Sequence, residues 1–466
     1  MDMYHIHKTI RLFNRDCLIE YEKKYENNKE YEKNKSIKIA LNMIVKNEQD
    51  NIERTLTSVL DFCDLFVILD TGSEDDTKSK IIKFCEKHKK SLYIISYFFE
   101  NFSVNRNIAI EYANNKADYL LFMDSNDEIK NYNPQFKNFL FENLSNSKLL
   151  GIYIKQEWNT NGKIDRYFNI RLVKTKNNWH YKAPVHEYIT CPDVETNGTM
   201  AHVIKIENGP YIFQDRSKDA HKSVKRFTRD KELLYNEYLE NNHDTRTLFY
   251  LAQTCSCLNQ YEESYKYYIL RTKEKGFLEE IFHSFQRAAD ISQHGLNHSI
   301  EETIYLYLKS LETSCKYFNC PRAEPCIRIA EIYLKNDNKL MAHTFIKQAC
   351  QSIYPNDCSL FVDGHIYDYT RWHMLGITGF YVNDSDMGFI GTLLAYKNQK
   401  EEIDKNNMKT YVDCEKYDFN KLISFIVDQP LSILINLFIV KKKDKNIQNH
   451  FLVQNVKSLL DKFQKK

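Results

Sequence analysis

The chain has 466 residues, 42% hydrophobic and 27% charged, with only 12 Gly and 8 Pro. That is a globular composition, long enough for two or three cores, and it excludes collagenous and linker-dominated chains. A formal net charge of +2 gives no electrostatic reason to expect nucleic acid as a partner.

The 12 cysteines are scattered, with no C-x-x-C pair, and read as free thiols of a reducing compartment. The first 24 residues have no apolar h-region. The longest apolar run, Leu431 to Val440, falls short of the roughly 20 residues that span a bilayer. The expectation is a cytoplasmic chain without a transmembrane segment. The lysines at 441, 442 and 443 leave peripheral contact with anionic lipid open.

Residues 1–36 read as a charged arm, solvated helix or disordered, because Glu, Lys, Asn and Tyr alternate from Tyr21 to Lys35 without a wide apolar face. Residues 37–240 then alternate strands with helices. Ile37 to Val45 is a first buried strand, running into Lys46, Asn47 and Glu48 and a helix from Asp50 to Phe62. Leu65 to Leu69 is a second, ending at Asp70-Thr71-Gly72-Ser73, where the glycine permits a tight turn and Ser, Asp and Thr can cap the next helix. Leu92 to Phe99 is a third, followed by a helix opened by Arg106 and Asn107. Tyr119 to Met123 is a fourth. Four such alternations argue for a largely parallel, helix-covered α/β sheet.

The fourth strand delivers a carboxylate cluster, Asp124, Asp127 and Glu128, with Ser125 and Asn126 between. Acids just beyond the carboxyl end of a strand sit where open α/β sheets bind ligands, and clustered oxygens suit a hard divalent cation carrying nucleotide phosphates. Further short strands follow at Leu149–Lys155, Tyr167–Val173, Trp179–Tyr188, His202–Ile206 and Gly209–Phe213. A helix is expected from about Asp219 to Glu240. From Asp244 the pattern is almost wholly helical, with aromatics and small residues at interlocking positions. This predicts a tetratricopeptide-like array over 241–400 and a helical segment over 401–466, including an amphipathic helix at Val453–Phe463.

Lys46-Asn47-Glu48, Asp70-Thr71-Gly72-Ser73, Arg106-Asn107 and Asp124-x-x-Asp127, each at a strand or helix end and in this order, resemble family 2 glycosyltransferases with the GT-A fold. The segment Val185-His186-Glu187 and the helical half look like the subgroup that carries tetratricopeptide repeats. The resemblance implies an inverting transferase moving a sugar from UDP-, GDP- or another nucleotide sugar to a hydroxyl of a glycan or protein acceptor. By the same resemblance Val45, Lys46, Asn47, Glu48, Asp70 and Gly72 line the nucleotide pocket. Arg106 and Asn107 approach the diphosphate, a task suited to the planar guanidinium. Asp124, Ser125 and Asn126 stand at the family's Asp-x-Asp site. Mn²⁺ or Mg²⁺ would be held by Asp124, Asn126, Asp127 and Asp215, with His221 close behind and Asn126 supplying only a neutral oxygen. Glu187 is the expected general base, Asp127 and Glu128 its alternatives. His186 stands beside Glu187, and Trp179 and Tyr181 are placed to stack on a sugar.

Two other readings stay open. A nucleotidyltransferase would need a Gly-rich loop, and none follows the first strand. A catalytically weak or inactive transferase-like scaffold would use its helical repeats for protein binding. A homodimer through those helices is equally open.

Overall fold

In the computed structural model, which describes residues 5–25, 37–160, 163–217, 223–317, 321–355, 358, 360–411 and 419–420, the densest apolar run of the sequence becomes the centre of a mixed sheet. Two units are distinguished, Met1–Asn242 and His243–Lys466. The first begins with β1 (His5–Leu12), β2 (Arg15–Lys23), β3 (Ile39–Val45), α1 (Ile52–Ser58), β4 (Leu65–Asp70), α2 (Thr77–His88), β5 (Ser91–Ser96), α3 (Phe102–Ala113) and β6 (Tyr119–Phe122). It continues with β7 (Glu128–Lys130), α4 (Pro134–Glu142), β8 (Gly151–Thr160), β9 (Lys163–Lys174), β10 (His180–Lys182) and β11 (Tyr188–Thr190). The last elements are α5 (Pro192–Asn197), α6 (Thr199–His202), β12 (Val203–Lys205), β13 (Tyr211–Asp215) and α7 (Ser223–Glu240).

Strands lie in the order β1-β2-β5-β4-β3-β6-β9-β8-β13-β7, with β12 also on β8. β5, β4, β3 and β6 are mutually parallel. The pleat sorts β3 by parity: Ile39, Leu41, Met43 and Val45 join one core with Leu56, Ile81 and Phe136, while Ala40 joins the other with Ile108, Ala109 and Val173. Asn42, on the second face, is buried and its amide donates to the Ala109 carbonyl (2.8 Å). Chain order reverses between β3 and β6, so their carboxyl ends flank the crevice where such sheets bind ligands.

The N-terminal arm departs from expectation. Residues 5–23 form a hairpin whose second strand pairs antiparallel with β5 and extends the sheet. Its turn residues Phe13 and Asn14 both have positive φ (47° and 58°), the twist of a two-residue hairpin turn. Cys17, Ile19 and Tyr21 face inward at alternate positions. Asp16, Glu20 and Glu22, around these buried residues, disguise this period of two as a solvated arm.

The second unit runs α8 (Thr245–Cys257), α9 (Tyr261–Lys273), α10 (Leu278–His294), α11 (Ile300–Tyr317), α12 (Glu324–Lys335), α13 (Lys339–Cys350), α14 (Arg371–Tyr381), α15 (Ser385–Gln399) and α16 (Glu402–Lys409). Each helix from α9 to α15 packs on its predecessor, the arrangement of a tetratricopeptide-like array. His221, the apolar run Leu431–Val440 and the helix expected at Val453–Phe463 lie outside the described residues. Among the described residues no helix is long and apolar enough to cross a membrane.

Candidate active site

Two loops close the crevice on the β3–β4 side. Asn47, in the left-handed region at φ 54°, donates its backbone N–H to Ser73 Oγ (3.0 Å), and its side-chain oxygen accepts from Glu74 N (2.9 Å). Glu48 N donates to Thr77 Oγ1 (2.7 Å), while the Glu48 carbonyl accepts the first amides of α1. Asp70 is buried, and its Oδ1 accepts from Gly72 N (2.9 Å) and Ser73 N (2.8 Å). Gly72 has φ +98°, which a side chain there would resist. The other Asp70 oxygen is buried and has no hydrogen-bond partner among the described residues. A buried carboxylate oxygen without a donor is costly, and a ligand N–H or O–H would satisfy it.

On the β6 side, one guanidinium joins the two ends of the site. Arg106, buried on α3, donates through Nε to Glu187 Oε1 (2.8 Å) and through Nη2 to Asp124 Oδ1 (2.7 Å). Its plane lies over the Tyr181 ring at 5.2 Å. Burial works against the Arg106 charge, yet Asp124 and Glu187 together hold its pKa well above the ordinary guanidinium value. Arg171 Nη2 approaches Asp124 Oδ2 at 3.8 Å from β9. Burial alone would raise the Asp124 pKa, but Arg106 and then Arg171 draw it down to about 2.

Asp127 has a different task from the one expected. It is 1% exposed, its Oδ2 accepts from Asp124 N (2.9 Å) and its Oδ1 from Gln214 Nε2 (3.1 Å). Burial, and then the charge of Asp124, push its pKa up to about 7. Both oxygens are spent on shaping the loop, so it is placed as neither base nor metal ligand. Ser125 is held by its carbonyl, which accepts from Thr55 Oγ1 (2.7 Å). Glu128 is paired with Arg54 (3.3 Å) and Lys130 (2.5 Å).

Three other expected residues are also corrected. Trp179 is 3% exposed and packed in the core, its ring against Gly151, so it offers no face to a sugar. Asn107 spends both ends of its amide on the Tyr181 backbone (3.0 and 2.6 Å), pinning β10 to α3, and Tyr181 itself is buried. Asp215 is exposed and accepts from Ser217 N and Oγ (3.0 and 2.7 Å). The pleat turns Gln214, one residue earlier, toward the acid cluster instead. Val45 is buried at the end of β3, Lys46 is exposed, and His186 is exposed with φ 53°.

These displacements decide the fit of a divalent cation. The Gln214 amide group donates to Asn126 Oδ1 (2.8 Å) and to Asp127 Oδ1, filling the space between two oxygens that a cation would bridge. Among the described residues no group of three or more His, Cys, Asp or Glu could hold a metal. The expected set of Asp124, Asn126, Asp127 and Asp215 does not fit Mn²⁺ or Mg²⁺.

The residues that sequence reading passed over are Gln156 and Trp158 on β8, Arg171 on β9, and Gln214 and Arg216 around the end of β13. Arg216 Nε donates to Gln214 Oε1 (2.5 Å), and its guanidinium carbon stacks 3.3 Å from the Trp158 ring centre. The available signal was polar residues at alternate positions inside apolar strands, Tyr167, Asn169 and Arg171 above all.

Residues 41–191 match the family model described as Glycosyl transferase family 2. The N-terminal unit carries a family 2 glycosyltransferase domain. A TPR repeat-containing protein of Synechococcus elongatus is 28% identical over 151 residues, 32% of this chain and 35% of that protein. The chain therefore matches about a third of that relative's length. Among solved structures, S. aureus TarS 1–349 in complex with UDP-GlcNAc is 14% identical, over 80% of this chain and 90% of that one, with a TM-score of 0.31. BtubC from P. vanneervenii is also 14% identical, over 47% and 91%, with a TM-score of 0.33. Scores this low do not align one site on another. The family 2 match itself takes in β3 through β11, and with it Asp70, Arg106, Asp124 and Glu187.

Proposed function

We propose that this chain is an inverting glycosyltransferase that moves a sugar from a nucleoside diphosphate sugar to a hydroxyl of a glycan or protein. The observation that carries the reading is Arg106, inside a family 2 glycosyltransferase domain, tying Asp124 and Glu187 together at the crevice of a parallel sheet. The nucleoside lodges between the loops after β3 and β4, where the unpartnered oxygen of Asp70 accepts a hydrogen bond from base or ribose. The diphosphate lies toward Asp124, and the acceptor enters from the side of Glu187.

Arg106 engages only Oε1 of Glu187, and Oε2 has no partner among the described residues. That oxygen takes the proton of the acceptor hydroxyl as its oxygen attacks the anomeric carbon. The new carbon–oxygen bond forms opposite the breaking one, whose electron pair leaves on the β-phosphate, so the configuration inverts. A positioned base of this kind contributes about 10²–10⁴-fold. Glu187→Gln keeps the shape and the contact with Arg106, since the amide oxygen can accept. The expected result is a loss of transfer of about that size with donor binding unchanged, measured by nucleoside diphosphate release and by calorimetry. Full transfer by Glu187→Gln would remove Glu187 as the base. Failure of the wild-type chain to bind any of UDP, GDP, CDP or TDP would sink the reading.

A further inference from the structure

The site disagrees with the cation its family resemblance implies, and the disagreement has a pattern. Where two metal ligands would stand, Asn126 and Gln214 satisfy each other, amide N–H to amide oxygen, at 2.8 Å. The same Gln214 amide group reaches Asp127 Oδ1 at 3.1 Å. A hydrogen-bond donor thus points into the space where a cation needs acceptors. Asp124 turns Oδ1 to Arg106 and Oδ2 to Arg171.

Cationic charge stands instead on β9 and just beyond β13. In the amide orientation that satisfies its neighbours, the Gln156 carbonyl accepts from Arg171 Nε (3.2 Å) and Nη2 (2.8 Å), which fixes that guanidinium. Arg216 is fixed by Gln214 Oε1 and by stacking on Trp158, which in turn meets Tyr167 edge to face at 4.5 Å. Arg171 approaches Asp124 directly, and Arg216 is bonded to the same Gln214 amide that donates to Asn126 and Asp127, so both border the loop after β6. Two guanidiniums held in place by side-chain amides and aromatics are a built site for phosphate oxygens, which arginine binds with paired N–H donors.

We propose that Arg171 and Arg216 neutralise the donor diphosphate in this protein, and that binding does not require a divalent cation. This rests on the transferase reading above. The test is calorimetry of the full chain with UDP, GDP, CDP and TDP, each in EDTA and in Mn²⁺. The expected result is one diphosphate bound with the same affinity in both conditions, within about twofold. Arg216→Ala should weaken that binding about tenfold in EDTA. The double variant Asn126→Asp, Gln214→His should bind Mn²⁺ where the wild-type chain does not, read by the electron paramagnetic resonance of free Mn²⁺.

Binding seen only with Mn²⁺ would overturn this inference and leave the transferase reading standing. Binding to none of the four in either condition would overturn both. An Arg216→Ala chain that folds by circular dichroism and binds the diphosphate as tightly as wild type would overturn the role of Arg216, and should that variant not fold, Arg216→Gln, which keeps the length and loses the charge, is read the same way.

Discussion

Arg106 holds two carboxylates that arrive from distant parts of the chain, and its buried charge is tolerable only because both are present. The neighbouring Asp127 shows the cost of crowding acids without such a partner. A carboxyl whose folded pKa is raised binds its proton more tightly folded than unfolded. Its contribution to stability therefore falls as pH rises from the ordinary carboxylate value of about 4 to about 7. Asp124 acts in the opposite sense, losing its contribution only as pH drops from the ordinary value toward about 2. The two windows do not overlap. Asp127→Asn, which keeps an acceptor for Asp124 N, should flatten the decline in Tm between about pH 4 and 7, with melting curves across that range as the measurement. An unchanged decline would mean that Asp127 is ionised throughout. At this scale Asp124 could be singled out because it stands just past the apolar run Leu120–Met123, while Arg106 and Glu187 were named through the resemblance to family 2 glycosyltransferases. Gln214 and Arg171 were not. Their direction depends on which strand pairs with which, and that pairing is not written in local pattern.

Elements were legible where the apolar run was continuous and lost where inward and outward residues alternate. Ile39–Val45 and Leu65–Asp70, buried on both faces, announce themselves. The β2 strand does not, since Cys17, Ile19 and Tyr21 are buried in a segment that also holds Arg15, Asp16, Glu20, Glu22 and Lys23. The contact between α14 and α15 was hidden for another reason. Four of the chain's 12 glycines fall at 376, 379, 388 and 391, a density that argues against helix on propensity. Here they let two helical backbones touch. A Cβ on Gly379 would lie 2.6 Å from Gly388 Cα, and one on Gly391 would lie 2.5 Å from Gly376 N. Backbone cannot swing aside as a flexible side chain can. Gly379→Ala gains about 1 kcal/mol of helix propensity, but overpacking of this kind costs about 1–3 kcal/mol and strikes backbone on both sides. The net expectation is a lower urea midpoint, followed by circular dichroism. Gly364→Ala, whose nearest neighbour would be Tyr354 at 4.0 Å, should leave the midpoint in place.

Across the whole molecule, chemistry and repeats fall in different units. The proposed donor residues run from Val45 to Arg216, all inside Met1–Asn242, and each contact described for them is made within that unit. That unit has two apolar cores, one on each face of its sheet, with Leu56, Ile81 and Phe136 closing one and Ile108, Ala109 and Val194 the other. The expectation is that the first unit suffices for donor binding and that the helical unit serves the acceptor. A fragment of residues 1–242 should therefore fold alone and bind the preferred nucleoside diphosphate with the affinity of the full chain, by calorimetry. It should also hydrolyse the nucleotide sugar slowly, because water can reach Glu187 where an acceptor hydroxyl would. Transfer to a glycan or protein acceptor should fall far more than hydrolysis does. If binding itself is lost in a fragment that still gives a folded circular dichroism spectrum, the helical unit helps to form the donor pocket. Division of labour between the units would then be the wrong description.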